Sequence, residues 1–283
     1  MNKPIYILLY VLSVATALPC RVAAQELDTL VSPKTITNSQ LVGIGKTQIL
    51  DTYLSPEKYR GQEWTYLSHT IRDYDNKPLS KLIRHQGSFA QTHNRAKNCN
   101  ELAGMYNFSY GWLYNWRLLS NQLLIKAGGS IEANLGFVYN TRNSNNPAQA
   151  RAALNISPTA AAEYHFYIKR YPFAVRYELS IPLVGAMFSP NYGQSYYEIF
   201  SRDNYDHNIV FTHPGNTPSL RHMLTADFTL WHQTFRVGYL GNVQQARVNH
   251  LKQHQYSHAF IIGWVNRFKL IRYKEKRKRE LEP

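Results

Sequence analysis

The stretch Leu123-Leu124-Ile125-Lys126-Ala127-Gly128-Gly129-Ser130-Ile131-Glu132-Ala133-Asn134-Leu135-Gly136-Phe137-Val138-Tyr139 decides the fold. Its odd positions are small or apolar throughout, whereas its even positions include Lys126, Ser130, Glu132 and Asn134. Successive side chains of a strand point to opposite faces, so this segment has one apolar and one polar, charged face. A strand of a soluble sandwich runs for about 5 or 6 residues, and one that crosses a bilayer needs about 9–11. This segment exceeds both.

The same period of two recurs on either side. Tyr106 to Trp116 sets Tyr106, Phe108, Tyr110, Trp112, Tyr114 and Trp116 against Asn107, Ser109 and Asn115. Leu154 to Ile168 sets Leu154, Ile156, Tyr164 and Phe166 against Asn155, Ser157, Glu163 and His165. Phe173 to Met187, Leu220 to Leu230, Phe235 to Val243 and Tyr256 to Phe268 behave alike. The segments Leu41 to Leu54, Gln62 to Tyr74 and Leu82 to His93 alternate poorly and are accepted as strands on spacing. No sustained helical repeat appears.

Hairpin parity supports one continuous sheet, because like faces must meet across each turn. A turn at Leu118 to Asn121 sets Trp112 against Ala127. One at Lys169 to Pro172 sets Ile168 against Phe173, with His165 opposite Arg176 and Glu163 opposite Glu178. One at Gln233-Thr234 sets Leu230 against Val237. Short turns there and at Asp75 to Pro78 alternate with longer connections at Ser55 to Gly61, Arg95 to Asn100, Thr141 to Ala150 and Asn249 to His254. The expected fold is an all-β, antiparallel, up-and-down transmembrane β-barrel of 12 strands, or 10 if none lies between Phe188 and Ser219. Gln194 to Ser201 and His207 to Thr212 are the two candidates for the extra pair. A secreted soluble β-sandwich that binds a ligand is the alternative fold.

Composition fits this reading. The chain has 283 residues, 32 Lys and Arg against 18 Asp and Glu, a net charge of +14, and 21 Tyr. Its mean hydropathy of −0.42 excludes a helical membrane bundle. Met1 to Ala24 has the charged start, short apolar centre (Ile5 to Leu18) and small-residue end of a signal peptide cleaved after Ala24. Cleavage removes Lys3 and Arg21 and no acid, which leaves +12 and one cysteine, Cys99. Export to the outer membrane of a Gram-negative cell follows, and a nucleic-acid partner does not. Residues 25–40 form an N-terminal periplasmic segment, 41–268 the barrel, and 269–283 a basic periplasmic tail suited to anionic lipid.

Three further stretches carry a resemblance. They are Ser189-Pro190-Asn191-Tyr192-Gly193-Gln194-Ser195-Tyr196-Tyr197-Glu198, Tyr205-Asp206-His207-Asn208 and Gly215-Asn216-Thr217-Pro218-Ser219-Leu220-Arg221. With Tyr139-Asn140-Thr141-Arg142-Asn143, they resemble an uncharacterised family of bacterial outer-membrane barrels known as a domain of unknown function. The resemblance implies no activity and brings no catalytic residue.

Two sets of candidate residues follow. The first is a lumen charge cluster of Lys126, Glu132, Glu163, His165, Arg176, Glu178, Arg221, Asp227 and Arg236. Buried charges must be paired, so the cluster reads as ion pairs that close the barrel or as a selectivity ring in a narrow pore. The second is Asn191, Tyr192, Gln194, Tyr196, Tyr197, Glu198 and His207, in a segment dense in Tyr, Asn, Gly and Pro that suits a plug or a ligand-contact loop. A lipid-modifying hydrolase is the catalytic alternative. Glu163 would orient His165, and Ser180 is the nearest nucleophile. No His-x-Ser triplet, metal-ligand cluster or phosphate-cradling glycine loop occurs, so no metal or cofactor is expected. The expected partner is outer-membrane lipid, with a small solute or a glycan as ligand. The oligomeric state is left open.

Overall fold

The computed structural model describes residues 34–270 except 75, 76 and 145. The signal peptide, the segment before Lys34 and the basic tail after Leu270 therefore lie outside the described residues. Twelve strands run in chain order. They are β1 (Lys34–Asp51), β2 (Ser55–Tyr74), β3 (Leu79–His93), β4 (Asn100–Leu118), β5 (Leu123–Asn140), β6 (Ala148–Ile168), β7 (Tyr171–Ser180), β8 (Val184–Phe188), β9 (Ile209–Thr212), β10 (Leu220–Leu230), β11 (Gln233–Val248) and β12 (Leu251–Leu270). One short helix, α1 (Tyr196–Ser201), stands between β8 and β9.

Ten strands close a ring, with β1 paired to β12, β5 to β6 and β7 to β10, every pair antiparallel. The other two, β8 and β9, stand outside the ring. β6 pairs with β7 over Thr159 to Ile168 and with β8 over Ala152 to Ile156, and β9 adds to β8. The expected run Phe173 to Met187 is thus two strands, broken at Ile181 to Leu183. Of the two segments expected to be strands after Phe188, residues 209–212 are one, but Gln194 to Ser201 holds α1. Ser195 caps that helix by accepting from the Glu198 N–H, and Glu198 accepts in return. This capping box overrides a β-rich local composition.

The outward face is apolar around the ring. Val42, Ile44, Trp64, Tyr66, Phe89, Trp112, Trp116, Leu135, Ile156, Tyr177, Leu224, Phe260 and Trp264 all stand exposed. On β4 this face runs from Tyr106 to Trp116. Ten residues at a strand's rise, tilted by about 40°, span about 25 Å along the barrel axis, the height of a lipid-facing band. A single closed sheet with its large apolar side chains outside is not a sandwich, so the soluble alternative is overturned.

Turn positions correct the sequence reading in detail while keeping its parity. Leu118 faces Leu123, Ile168 faces Tyr171 and Leu230 faces Gln233. The first two hairpins are shifted by two residues from expectation and the third by four. Even shifts leave every side chain on its expected face. They do change partners: Glu163 lies opposite Arg176, not Glu178, and His165 lies opposite Ala174. The turn expected at Gln233-Thr234 is at Trp231-His232, both with positive φ (48° and 67°). That conformation normally asks for Asn and Gly, so Trp-His gives no turn signal. Two expected loops are also tight turns. β1 and β2 join through residues 52–54, leaving 55–61 in β2, and β11 and β12 join through Asn249-His250.

At one end of the barrel β1 joins β2, β3 joins β4, β5 joins β6, residues 181–219 follow β7, and β11 joins β12; at the other β2 joins β3, β4 joins β5, β6 joins β7, β10 joins β11, and both ends of the described chain lie there. These are called the long-loop and short-turn ends. β1 starts at Lys34, so residues 34–40, expected in the N-terminal segment, are part of the wall.

The β6–β7 register is directly testable. With Cys99→Ser as background, His165→Cys with Ala174→Cys should cross-link on mild oxidation, and His165→Cys with Arg176→Cys should not. A reversed result would restore the register expected from sequence.

Candidate functional site

The inward face differs from that of an open channel because charged side chains cross the lumen. Glu178 on β7 is the centre. Its Oε1 accepts from Arg84 Nη1 at 2.9 Å, and its Oε2 from Arg176 Nη2 at 2.6 Å. The His69 Nε2 lies 3.1 Å from the same Oε2. Arg84 Nη2 also donates to Glu132 Oε1 at 2.6 Å, which takes Arg221 Nη1 at 3.2 Å and the Ser180 hydroxyl at 3.0 Å. Arg176 continues to Glu163 at 3.1 Å, and Glu163 to His165 at 3.0 Å. In the ring order β2 stands five strands from β7 in either direction, so the His69–Glu178 contact spans a diameter. Three guanidinium groups meet three carboxylates here, and all but Glu163 and His165 are buried.

Two more pairs flank this crossbar toward the short-turn end. Lys126 holds Asp73 at 2.5 Å. Asp227 takes both Nε and Nη2 of Arg236, at 2.6 and 2.7 Å, with Arg267 at 3.6 Å. Toward the long-loop end a second diametric tie joins Arg151 on β6 to Asp51 on β1 at 3.2 Å. Above it Leu54 turns inward and packs with Ile49, Ala90, Ala103 and Val138, and its carbonyl accepts from Asn143 Nδ2 at 2.7 Å.

All nine expected lumen residues thus face inward, in three groups rather than one cluster. Arg84, His69 and Asp73 complete those groups, and Asp51 and Arg151 form a fourth; none of the five was foreseen from sequence. β2 and β3 hid three of them: their inward faces also hold Leu67, Ile71 and Leu82, so neither face reads as polar. The hydrolase arrangement is not assembled. Ser180 serves Glu132, and it lies six residues along β7 from Ala174, the residue opposite His165. That separation is about 20 Å.

The loop candidates divide by role. Asn191, Gln194, Tyr196 and Glu198 build the loop. Asn191 Nδ2 donates to Asp206 O at 2.6 Å, Gln194 Nε2 to Asn204 O at 2.9 Å, and the Tyr196 hydroxyl to Gln149 Oε1 at 3.1 Å. Burial pushes the Tyr196 phenol up to about 12, so it stays a donor. The Glu198 carboxyl is held below its ordinary range by the Ser195 N–H and hydroxyl. The cap is therefore present at neutral pH and is lost as pH falls through that lowered value. Tyr192, Tyr197 and His207 instead present their side chains to solvent, together with Phe200 and Tyr205. Gly193, at φ +81°, makes the turn that leads into α1. The loop reaches the β1–β2 turn through an edge-on contact of Tyr53 with Tyr196, and the inward face of β6 through the bond of Tyr196 to Gln149.

The class these features define is a closed antiparallel barrel with a lipid-type outer face and an ion-paired interior. The chain belongs to the DUF3316 family of proteins of unknown function, whose model matches residues 5–275. No curated protein matches it in sequence. Among solved structures it is similar to the outer membrane protease OmpT from Escherichia coli (7% identity, 86% of this chain and 99% of that one, TM-score 0.42). It is also similar to the transport unit of the autotransporter AIDA-I from Escherichia coli (8%, 90% and 97%, TM-score 0.38). A third is an outer membrane channel from Pseudomonas putida F1 (9%, 88% and 100%, TM-score 0.34). Such values tie this chain to none of those activities.

Glu178→Gln removes the charge that two guanidinium groups share. Breaking a buried pair costs about 3–5 kcal/mol, so the variant should lose stability of that order in urea unfolding from lipid vesicles. Arg267→Gln, at the exposed edge of the Asp227 group, should lose less than about 1 kcal/mol.

Proposed function

We propose that the protein is an outer-membrane barrel sealed against ions, acting through its surface loops rather than as an open pore. The observation that carries this reading is the Glu178 crossbar, in which Arg84, Arg176 and Glu178 meet in mid-lumen with almost no exposure. The Arg151–Asp51 tie and the Leu54 cluster support it at the long-loop end. The membrane location rests on the outward apolar band, which is far larger than the few hundred Å² a soluble monomer leaves exposed. Export by a signal peptide cleaved after Ala24 accounts for how the chain reaches that membrane.

Short turns belong at the periplasmic side of such a barrel, so the long-loop end faces outward. Residues 181–219 then stand at the cell surface, with Tyr192, Tyr197 and Phe200 as an exposed aromatic platform. Aromatic rings bring large contact area at low entropy cost, a chemistry suited to a glycan or a protein surface. Outer-membrane lipid is the partner of the wall.

The mature chain, refolded and added to planar bilayers, should give no conductance steps. Replacing Arg84, Arg176 and Glu178 together by Ala should open one. Deleting residues 191–215 should leave the barrel silent, because the seal lies below the loop. Regular conductance steps from the unaltered chain would overturn the sealed reading.

A further inference from the structure

Between the two diametric ties, the Arg151–Asp51 pair and the Glu178 crossbar, lies a cavity of about 110 Å³. Its lining includes Thr212 at the end of β9, Thr217 and Ser219 in the connection that follows, and Gln245 on β11. These residues border a break in the wall. β7 ends at Ser180 and β10 begins at Leu220, so above them β6 pairs with β8 instead, and the wall is left with a seam between β9 and the upper part of β11. Only the connecting loop bridges it, through Arg247 N to Asn216 O at 2.8 Å and Gln245 N to the Ser219 hydroxyl at 3.2 Å.

The inner part of this opening carries donors without acceptors. Arg151 Nε and Gln253 Nε2 are buried and have no partner among the described residues, and both residues line the cavity. The rest of the Arg151 guanidinium is bonded to Asp51 and Gln255, and Arg221, which also lines the space, is bonded to Glu132 and Asn242. Glu132 also lines it, at the crossbar end, where its Oε1 is already taken by Arg84, Arg221 and Ser180. The free donors thus lie at the opposite end, beside Arg151. Outside, the seam is flanked by exposed Leu183, Ile209 and Phe211. A buried donor left unpaired costs about 1–3 kcal/mol, and a ligand oxygen would recover it.

We infer that this seam is a lateral binding site for an amphiphile with a carboxylate head and a single long acyl chain. The head enters from the outer leaflet to meet Arg151 and Gln253, and the chain stays on the apolar outer surface. The site rests on the barrel standing in a bilayer, but its test does not rest on conductance.

The test uses the refolded mature chain in non-ionic detergent and palmitate carrying ¹³C at the carboxyl. The carboxyl resonance should shift and saturate at one equivalent, hexadecanol should not displace it, and acetate should bind at least tenfold more weakly. Arg151→Gln should weaken palmitate at least tenfold. Since that change also strands Asp51, Gln253→Leu, which removes a donor, and Gln245→Trp, which fills the seam from the β11 side, are measured beside it and should weaken binding similarly. Absence of saturable binding, equal competition by hexadecanol, or parental affinity in the folded Gln245→Trp variant would overturn the site. A silent barrel that fails this test would keep the sealed reading and lose only the lateral site.

Discussion

One carboxylate organises the interior of this barrel. Glu178 is reached by Arg84 from β3, by His69 from β2 and by its own neighbour Arg176, which draws strands from opposite sides of the ring to one point. A ten-strand ring is wide enough to leave a gap along its axis unless large side chains fill it. Arginines do so here because their planar forks can each serve two acceptors. Arg84 bridges Glu178 and Glu132, and Arg176 bridges Glu178 and Glu163. Desolvating these groups is costly, and the cost is offset only while every member keeps its partner. The network is for that reason a closure that removal of one member would undo.

The rest of the interior follows from that closure. On the β2–β1–β12–β11–β10 side a cluster of Leu41, Leu67, Ile261, Leu240 and Met223 fills the lumen beside the charged groups. The second tie, Arg151 to Asp51, closes the long-loop end over a space that the crossbar closes from below. The seam between β9 and the upper part of β11 gives that space a sideways approach. Sealing and lateral access are two consequences of one layout.

How much of this was legible depended on how each face is built. β5 and β6 alternate cleanly because their outward residues meet lipid and their inward ones meet ions, so faces and parity could be read directly. β1, β2 and β3 carry Leu41, Leu67 and Leu82 inward and His85, Lys81 and Arg72 outward. Two mixed faces leave no period of two, and Arg84 and His69 went unseen with them. Turn chemistry misled where positive-φ positions hold Trp231 and His232 instead of Asn and Gly. Partners across the lumen, such as Arg151 and Asp51, are 100 residues apart in the chain. No local pattern encodes that contact; it exists only once the ring is closed. The family membership adds no site residue, so the chemistry of the site rests on geometry alone.

The account stands or falls on whether Arg84 and Glu178 hold each other across the lumen. A double-mutant cycle on Arg84→Met and Glu178→Gln, read from reversible urea unfolding in lipid vesicles, measures this directly. Contacting pairs in one network couple by about 0.5–3 kcal/mol, and this buried, charge-assisted pair should fall in the upper half of that range. Additive effects, within about 0.3–0.5 kcal/mol, would contradict it.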